Sequence, residues 1–252
     1  EIHPMFAANR QGAHFALGST FLFDEMPSFR DTLTLPSPER ERRLGDPAVR
    51  DQMRAELADP RGRSIMLVWE VIKVEAVHRP EHAHYIDRTM RAIADEMGVD
   101  PLDAFLDLSL ADDLEMQFVL AAPPTKTRHD AVTTMMNSPV MMAGSSDGGA
   151  HLLSFCGADF TTRLLTEWVP EVLTLEQAVA RLSSIPAAAV GITDRGVLTE
   201  GAPADINVID RTRLRAGDAP RIVRDFPADS ARFVVDAEGY VATIVNGQPL
   251  LE

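Results

Sequence analysis

Lysine is nearly missing from this chain: of 24 basic residues only Lys73 and Lys126 are lysines. With a net charge of −14 and no lysine patch, the protein repels phosphate backbones and anionic lipid surfaces, so neither nucleic acid nor membrane is an expected partner. Cysteine is down to one residue, Cys156. One thiol builds no internal disulfide framework and points to a reducing compartment, so a cytoplasmic location is expected. By itself Cys156 reads most simply as a small buried hydrophobe. No apolar run approaches the ~20 residues that cross a bilayer. The N-terminus has no basic stretch followed by an apolar one, so no signal peptide is expected. It opens EIHPMFAAN, already apolar, without a Met or a cap, and reads as entered in mid-strand, as a piece of a longer polypeptide would be.

What is present is enough for a sizeable core. The 252 residues are 45% hydrophobic and 25% charged, which suits one large domain or two. Residues 1–8 read as a strand. Residues 9–23, NRQGAHFALGSTFLF, read as a loop and a short helix. Residues 36–58 are helical, with a second helix restarting at Asp46-Pro47. Residues 64–77 read as a strand or strand pair, because Ile72, Val74 and Ala76 alternate with Lys73 and Glu75. A helix is expected over Tyr85 to Met97, stopped by Gly98, and another behind the Asp100 cap and Pro101. Residues 114–121 read as a strand and Thr127 to Asn137 as a helix. Helices follow at Phe160 to Trp168, at Leu175 to Leu182 behind Thr174, and in SSIPAAAVG up to Gly191. Beyond Gly191 the texture changes to short strands and turns. Asn246-Gly247 is a strong hairpin signal. Three or four strands are expected there, too few for an independent domain.

The stretch that carries chemistry is Pro139 to His151, PVMMAGSSDGGAH. A short apolar strand, Val140 to Ala143, runs into a turn that presents Asp147, with Gly148, Gly149 and His151 behind it. A buried strand delivering a carboxylate to its C-terminal end is how parallel α/β barrels place a catalytic group. Taken alone, Asp-Gly-Gly is equally an ordinary turn closing a strand. GSSDGG lacks the Lys-Ser/Thr of a phosphate loop and the spacing of a dinucleotide loop.

The order SSDGGAH, LTLEQAVARLSSIPAAAVGITDRGVLTEGAPADINVID and ATIVNGQPL resembles the C-terminal part of the metal-dependent amidohydrolase superfamily. Within it, the pattern is similar to the N-acyl-D-amino-acid deacylases (D-aminoacylases). The match is most specific from Val140 to Asp210. The resemblance implies an α/β fold: the C-terminal part of a (β/α)8 TIM-type barrel, residues 1–190, with a helical and β insertion over about 24–98. Residues 191–252 would be the C-terminal part of a small composite β domain. It implies one or two divalent metals, usually zinc, at the barrel mouth. Asp147 would bind or face the metal and handle the proton of the hydrolytic water. The family's first-strand His-X-His and its fifth- and sixth-strand histidines have no counterpart here. The remaining ligands are therefore expected on upstream sequence or on a partner chain, and an oligomer is one way to supply them.

Other residues are candidates of lesser weight. Gly149 and His151 follow Asp147 and are placed to approach substrate, though His151 reads equally as a loop histidine. Arg163 is a candidate for a substrate carboxylate, against an equally good reading as a structural ion pair. Gln11 and His14, after the first strand, are candidate pocket residues. His82-Ala83-His84 has the spacing of two ligands on one strand face. It follows Arg79-Pro80-Glu81, however, and leads into a helix, so a polar turn is the better reading. Met135, Met136, Met141 and Met142 read as core filler.

The expected activity is hydrolysis of a C–N bond other than a peptide bond, most simply deacylation of an N-acyl (D-)amino acid. A cyclic amide or dipeptide-like substrate on the same scaffold is an alternative. A non-catalytic half-barrel subunit of a hetero-oligomer is another.

Overall fold

The computed structural model describes residues 2–9, 12–121, 123–144, 146, 153–217 and 220–251. Their arrangement is mixed α/β, in two compact units: Gly12–Pro123, and Glu1–Gln11 together with Pro124–Glu252. The first strand, β1 (Met5–Phe6), precedes the 12–123 unit in the chain.

The 12–123 unit contains β2 (Ala13–Phe15), α1 (Pro27–Leu33), α2 (Glu39–Leu44), α3 (Pro47–Ala58), β3 (Ile72–Ala76), α4 (Met90–Met97), α5 (Pro101–Ala111) and β4 (Gln117–Leu120). Its sheet has the order β2-β4-β3 and is antiparallel throughout. Registers Phe15↔Phe118 and Val74↔Phe118 put those three side chains on one face, because successive residues of a strand point to opposite sides. That face carries the aromatic core: Phe15 and Phe118 stack at 5.6 Å, Phe105 meets Phe118 at 4.8 Å, and Phe23 stacks on Phe29 at 4.8 Å. Helix α5 is apolar on most sides because it is buried among these rings. Its first turn is set by Asp100, whose Oδ1 accepts the Leu102 N–H at 3.0 Å, and by Pro101.

Two expectations are corrected here. Residues 9–23 contain no helix among the described residues; Ala13–Phe15 instead completes the sheet against β4. The helix expected from Tyr85 is split, with a 3₁₀ turn over Pro80–Tyr85 and α4 starting at Met90 behind the Thr89 cap. The cause is competition from β3: Val74 N–H donates to the Arg88 carbonyl at 3.1 Å and Asp87 N–H to the Val74 carbonyl at 2.8 Å. These bonds tie 87–88 to the strand, with Asp87 in the left-handed region at φ 65°, so the helix cannot run through them. The first and last strands of the unit in sequence, β2 and β4, pair with each other. Helix α1 has no sequence expectation behind it: Met26, at its N-cap, makes no side-chain cap bond.

The other unit continues with α6 (Lys126–Met136), β5 (Met142–Ala143), α7 (Phe160–Glu167), α8 (Leu175–Leu182) and α9 (Ser184–Ala189). Strands β1 and β5 are parallel, with Met5 opposite Met142 and Phe6 opposite Ala143. Against them pack Val132, Met136, Leu164, Trp168, Leu173 and Ala178, with Met135 and Met141 at the edge. Three of the four methionines are thus core filler. Helix α8 begins with a full capping box, Thr174 and Gln177 bonding reciprocally.

The tail holds more strands than its sequence promised: β6 (Ile206–Ile209), β7 (Arg215–Ala216), β8 (Arg221–Phe226), β9 (Ser230–Val234), β10 (Ala237–Glu238), β11 (Tyr240–Val245) and β12 (Gln248–Leu251). Two of them, β7 and β10, are two residues long and carry no alternation to detect. Asn246 and Gly247 take φ 49° and 76°, the left-handed pair that a tight hairpin turn needs between β11 and β12. Asp205 holds this turn to the start of β6, accepting the Asn246 N–H at 2.8 Å and pairing with Arg195.

Two predictions follow from this packing. Phe105→Ala is expected to destabilise the 12–123 unit by about 3–5 kcal/mol, read as a lowered urea midpoint. The Asn246 backbone bond, and after it Arg195, hold the Asp205 carboxyl below the usual carboxylate range. Its stabilisation is full above the unfolded pKa of about 3.9 and is lost as the pH falls through the lower, folded value. NMR of the Asn246 amide should show this acid step, and Asp205→Asn should abolish it.

Candidate functional site

Asp147, Gly149, His151 and Gln11 lie outside the described residues. What is described is the frame on either side of residues 147–152. Strand β5 ends at Ala143, and Gly144 N–H donates to the Phe6 carbonyl at 3.0 Å, extending the parallel pairing by one bond. Gly157 N–H donates to the Ser146 carbonyl at 3.2 Å, which brings the described residues on the two sides of 147–152 within one hydrogen bond.

Two arginines brace these strands through their carbonyls. Arg181 on α8 donates from Nη1 to the Met141 carbonyl and from Nη2 to the Ser138 carbonyl, each at 3.2 Å. Burial alone pushes its pKa down. Arg128 on α6 does the same for β1, donating from Nη2 to Ala7 at 3.3 Å and to Asn9 at 3.0 Å. Both spend a guanidinium on backbone oxygens at the ends of short strands, where few ladder bonds exist. Neither was singled out by sequence reasoning. Each is the single arginine of its helix, so no pattern in the sequence marks it.

The described candidates are engaged as follows. Arg163 on α7 donates from Nε to Asp159 at 2.5 Å, from Nη1 to Glu167 at 2.8 Å and from Nη2 to the Gly217 carbonyl at 3.2 Å. Burial pulls its pKa down, but the bonds to Glu167 and Asp159 outweigh that and leave it raised. His14, in the 12–123 unit, is buried, and its Nδ1 meets Glu75 Oε2 at 2.7 Å. His14 and Arg163 belong to different units. His82 Nδ1 bonds Asp112 at 2.8 Å, and the fully buried Asp112 also accepts the His78 and Arg79 N–H groups at 2.7 and 2.9 Å. His84 packs on Tyr85 at 3.9 Å between ring centres. The His-X-His pair is thus a turn organised by a buried carboxylate. Among the described residues no three His, Cys, Asp or Glu side chains come together as a metal would need. They do not compose a metal site by themselves.

A cavity of about 220 Å³ opens beside the end of β1, lined by Asn9, Arg128, His129, Trp168, Glu167 and Glu171 among others. Asn9 and Trp168 are buried, at 4% and 7% exposure, yet Asn9 Oδ1 and Trp168 Nε1 have no hydrogen-bond partner among the described residues. A buried orphan of this kind costs about 1–3 kcal/mol. No sequence signal marked either residue.

Comparison with known proteins gives this frame a family. The profile of the amidohydrolase family matches residues 58–251, well over half of the chain, and the chain belongs to that family. An uncharacterized protein of Mycobacterium tuberculosis is 36% identical over 135 residues, 51% of this chain and 22% of that protein. N-acyl-D-glutamate deacylase of Alcaligenes xylosoxydans is 49% identical over 51 residues, 19% of this chain and 10% of that enzyme. Among solved structures, N-acyl-D-glutamate deacylase from Bordetella bronchiseptica, complexed with zinc and a phosphonate inhibitor, matches with TM-score 0.43 at 26% identity. That match covers 73% of this chain and 35% of that one. D-aminoacylase matches with TM-score 0.43 at 20% identity, over 72% and 34% of the two chains. The curated matches span no more than about a fifth of those proteins' length, and the structural ones about a third. No described helix is long and apolar enough to cross a membrane.

The double variant His82→Ala/His84→Ala is expected to leave the metal content of the purified protein unchanged by elemental analysis. It should also lower the unfolding midpoint, because Asp112 loses a buried partner.

Proposed function

We propose that this chain is the C-terminal part of a metal-dependent hydrolase of amide bonds, acting on an N-acyl amino acid or a related acylated amine. The observation that carries the reading is the family match over 58–251, which includes Asp147 in its strand-then-Asp-Gly-Gly setting. The 49% identity to an N-acyl-D-glutamate deacylase over 51 residues supports the deacylase branch over cyclic amides and dipeptides.

In this reading β1 and β5 are the last two strands of a TIM-type barrel, residues 1–190 belong to that barrel, and residues 191–252 to a small β domain. The parallel β1–β5 pairing supports the first of these, since neighbouring strands of such a barrel are parallel. Asp147 follows Ala143 by four residues, beyond the C-terminal end of β5. Its carboxylate takes the proton of the attacking water and returns it to the leaving amine, which otherwise departs as a poor anionic leaving group. Gly149 leaves room for substrate beside that carboxylate, and His151 and Gln11 line the approach. His14, whose Nδ1 meets Glu75 Oε2, is a candidate pocket residue of the 12–123 unit. Arg163 serves as anchor for a substrate carboxylate only through whatever its bonds to Asp159 and Glu167 leave free. A divalent metal such as zinc would supply Lewis-acid polarisation of the scissile carbonyl. Its remaining ligands are assigned to sequence upstream of this chain or to a partner chain.

The test is hydrolysis by the full-length protein of N-acyl-D-amino acids, set against hydantoins and dipeptides. Asp147→Asn should lower kcat by about 10²–10⁴-fold with bound metal retained. Unchanged turnover in that variant, or activity confined to hydantoins, would sink the proposal.

A further inference from the structure

The turn between β11 and β12 is built from a reactive pair. Of the four asparagines, Asn9, Asn137, Asn207 and Asn246, only the last precedes a glycine. A glycine nitrogen has no side chain beside it to hinder approach, so in an open chain it attacks the side-chain carbon of the asparagine before it. The Gly247 nitrogen bonds to Asn246 Cγ and gives up its proton, the Cγ–Nδ2 bond breaks, and ammonia leaves with that proton. Water then opens the cyclic imide. Opening at Cγ leaves aspartate, and opening at the backbone carbonyl leaves isoaspartate. Asn246 and Gly247 are both exposed, so water reaches them.

The fold opposes ring closure at three points. The imide forms only when the Gly247 nitrogen swings round to the side of the Asn246 Cβ, and the left-handed turn, with φ 49° and 76°, turns it away. The nucleophile is engaged, since Gly247 N–H donates to the Ala204 carbonyl at 2.9 Å. The electrophile is engaged as well. Arg195 donates from Nη2 to Asn246 Oδ1 at 2.7 Å and from Nη1 to Asp205, whose other oxygen accepts the Asn246 N–H at 2.8 Å. The guanidinium also draws electrons from Cγ, which favours attack. That pull acts only once the nitrogen can reach Cγ, whereas the hold on Asn246 and Asp205 decides how often the turn opens. We propose that Asn246 is a site of deamidation and that Arg195 sets its rate by holding this turn closed. The product puts a new carboxylate beside Asp205, and the two then share one guanidinium. Isoaspartate also adds a backbone carbon to the turn, so the modified hairpin loses its fit to the start of β6. The proposal goes beyond the hydrolase reading, in which Asn246 has no role.

The experiment holds the full-length protein in mildly alkaline buffer and follows amide-to-acid conversion by peptide mass spectrometry. Asn137, at the end of α6 with Nδ2 donating to the Thr133 carbonyl at 2.9 Å, is the internal control in the same digest. Arg195→Gln should speed conversion at Asn246 about tenfold, the worth of one charge-assisted hydrogen bond, and leave Asn137 unchanged. Arg195→Lys, which keeps the cation but not the two-pronged contact, should fall between the wild type and Arg195→Gln. The urea-unfolded wild type should convert at Asn246 faster than any folded form. Native conversion at Asn246 as fast as in urea overturns the proposal, because the turn then protects nothing. An unchanged or slower rate in Arg195→Gln overturns it too. So does equal acceleration at Asn246 and Asn137 in both variants, because Arg195 then guards the whole unit rather than the turn.

Discussion

The parallel contact between β1 and β5 is the constraint on which one unit of this molecule turns. It joins Met5–Phe6 to Met142–Ala143, segments separated by the whole of the 12–123 unit in sequence. The contact is short, so its ladder supplies few bonds, and parallel pairing is the weaker kind per residue. Guanidinium groups make up the shortfall. Arg128 binds carbonyls just past β1, and Arg181 binds carbonyls one and four residues before the start of β5. Each arginine comes from a helix whose apolar face packs on the same strands. Burial and polar clamping therefore act on one place together.

In the proposed reading, that arrangement places the chemistry at this edge. Asn9 lies three residues past the end of β1 and Asp147 four residues past the end of β5, and the two strands run the same way. In a parallel α/β protein the ends of the strands are where the chain is free of the ladder while still held by it. The strands can thus be rigid while the residues after them carry the polar groups.

Legibility in the sequence divided along the line between local and distant causes. Asp100-Pro101, Thr174 with Gln177, Gly98 and Asn246-Gly247 announce themselves, because a cap or a turn is decided within a few residues. Strand β2 does not, because Ala13–Phe15 is a strand only by virtue of β4, more than a hundred residues away. The break before α4 is invisible for the same reason: Tyr85 to Met97 has helical spacing, and β3 takes the backbone bonds of 87–88. Asp147 stands out in the sequence through its Asp-Gly-Gly setting and the family order around it, and it lies outside the described residues. Asn9 and Trp168 were not, since an asparagine after a strand and a tryptophan after a helix are ordinary until both are found buried and unmet. Asp112 is similar. In an Ala-Asp-Asp run it reads as surface, yet it is fully buried and organises the histidine turn.

One more consequence lies in the pairing of Ala13 with Leu120. Partners across an antiparallel ladder sit about 5 Å apart. The 12–123 unit therefore begins and ends at a single doorway, and its aromatic core closes on itself behind it. A peptide bridge of a few residues spans a separation of that size, so the whole 12–123 unit enters and leaves the chain through adjacent ends.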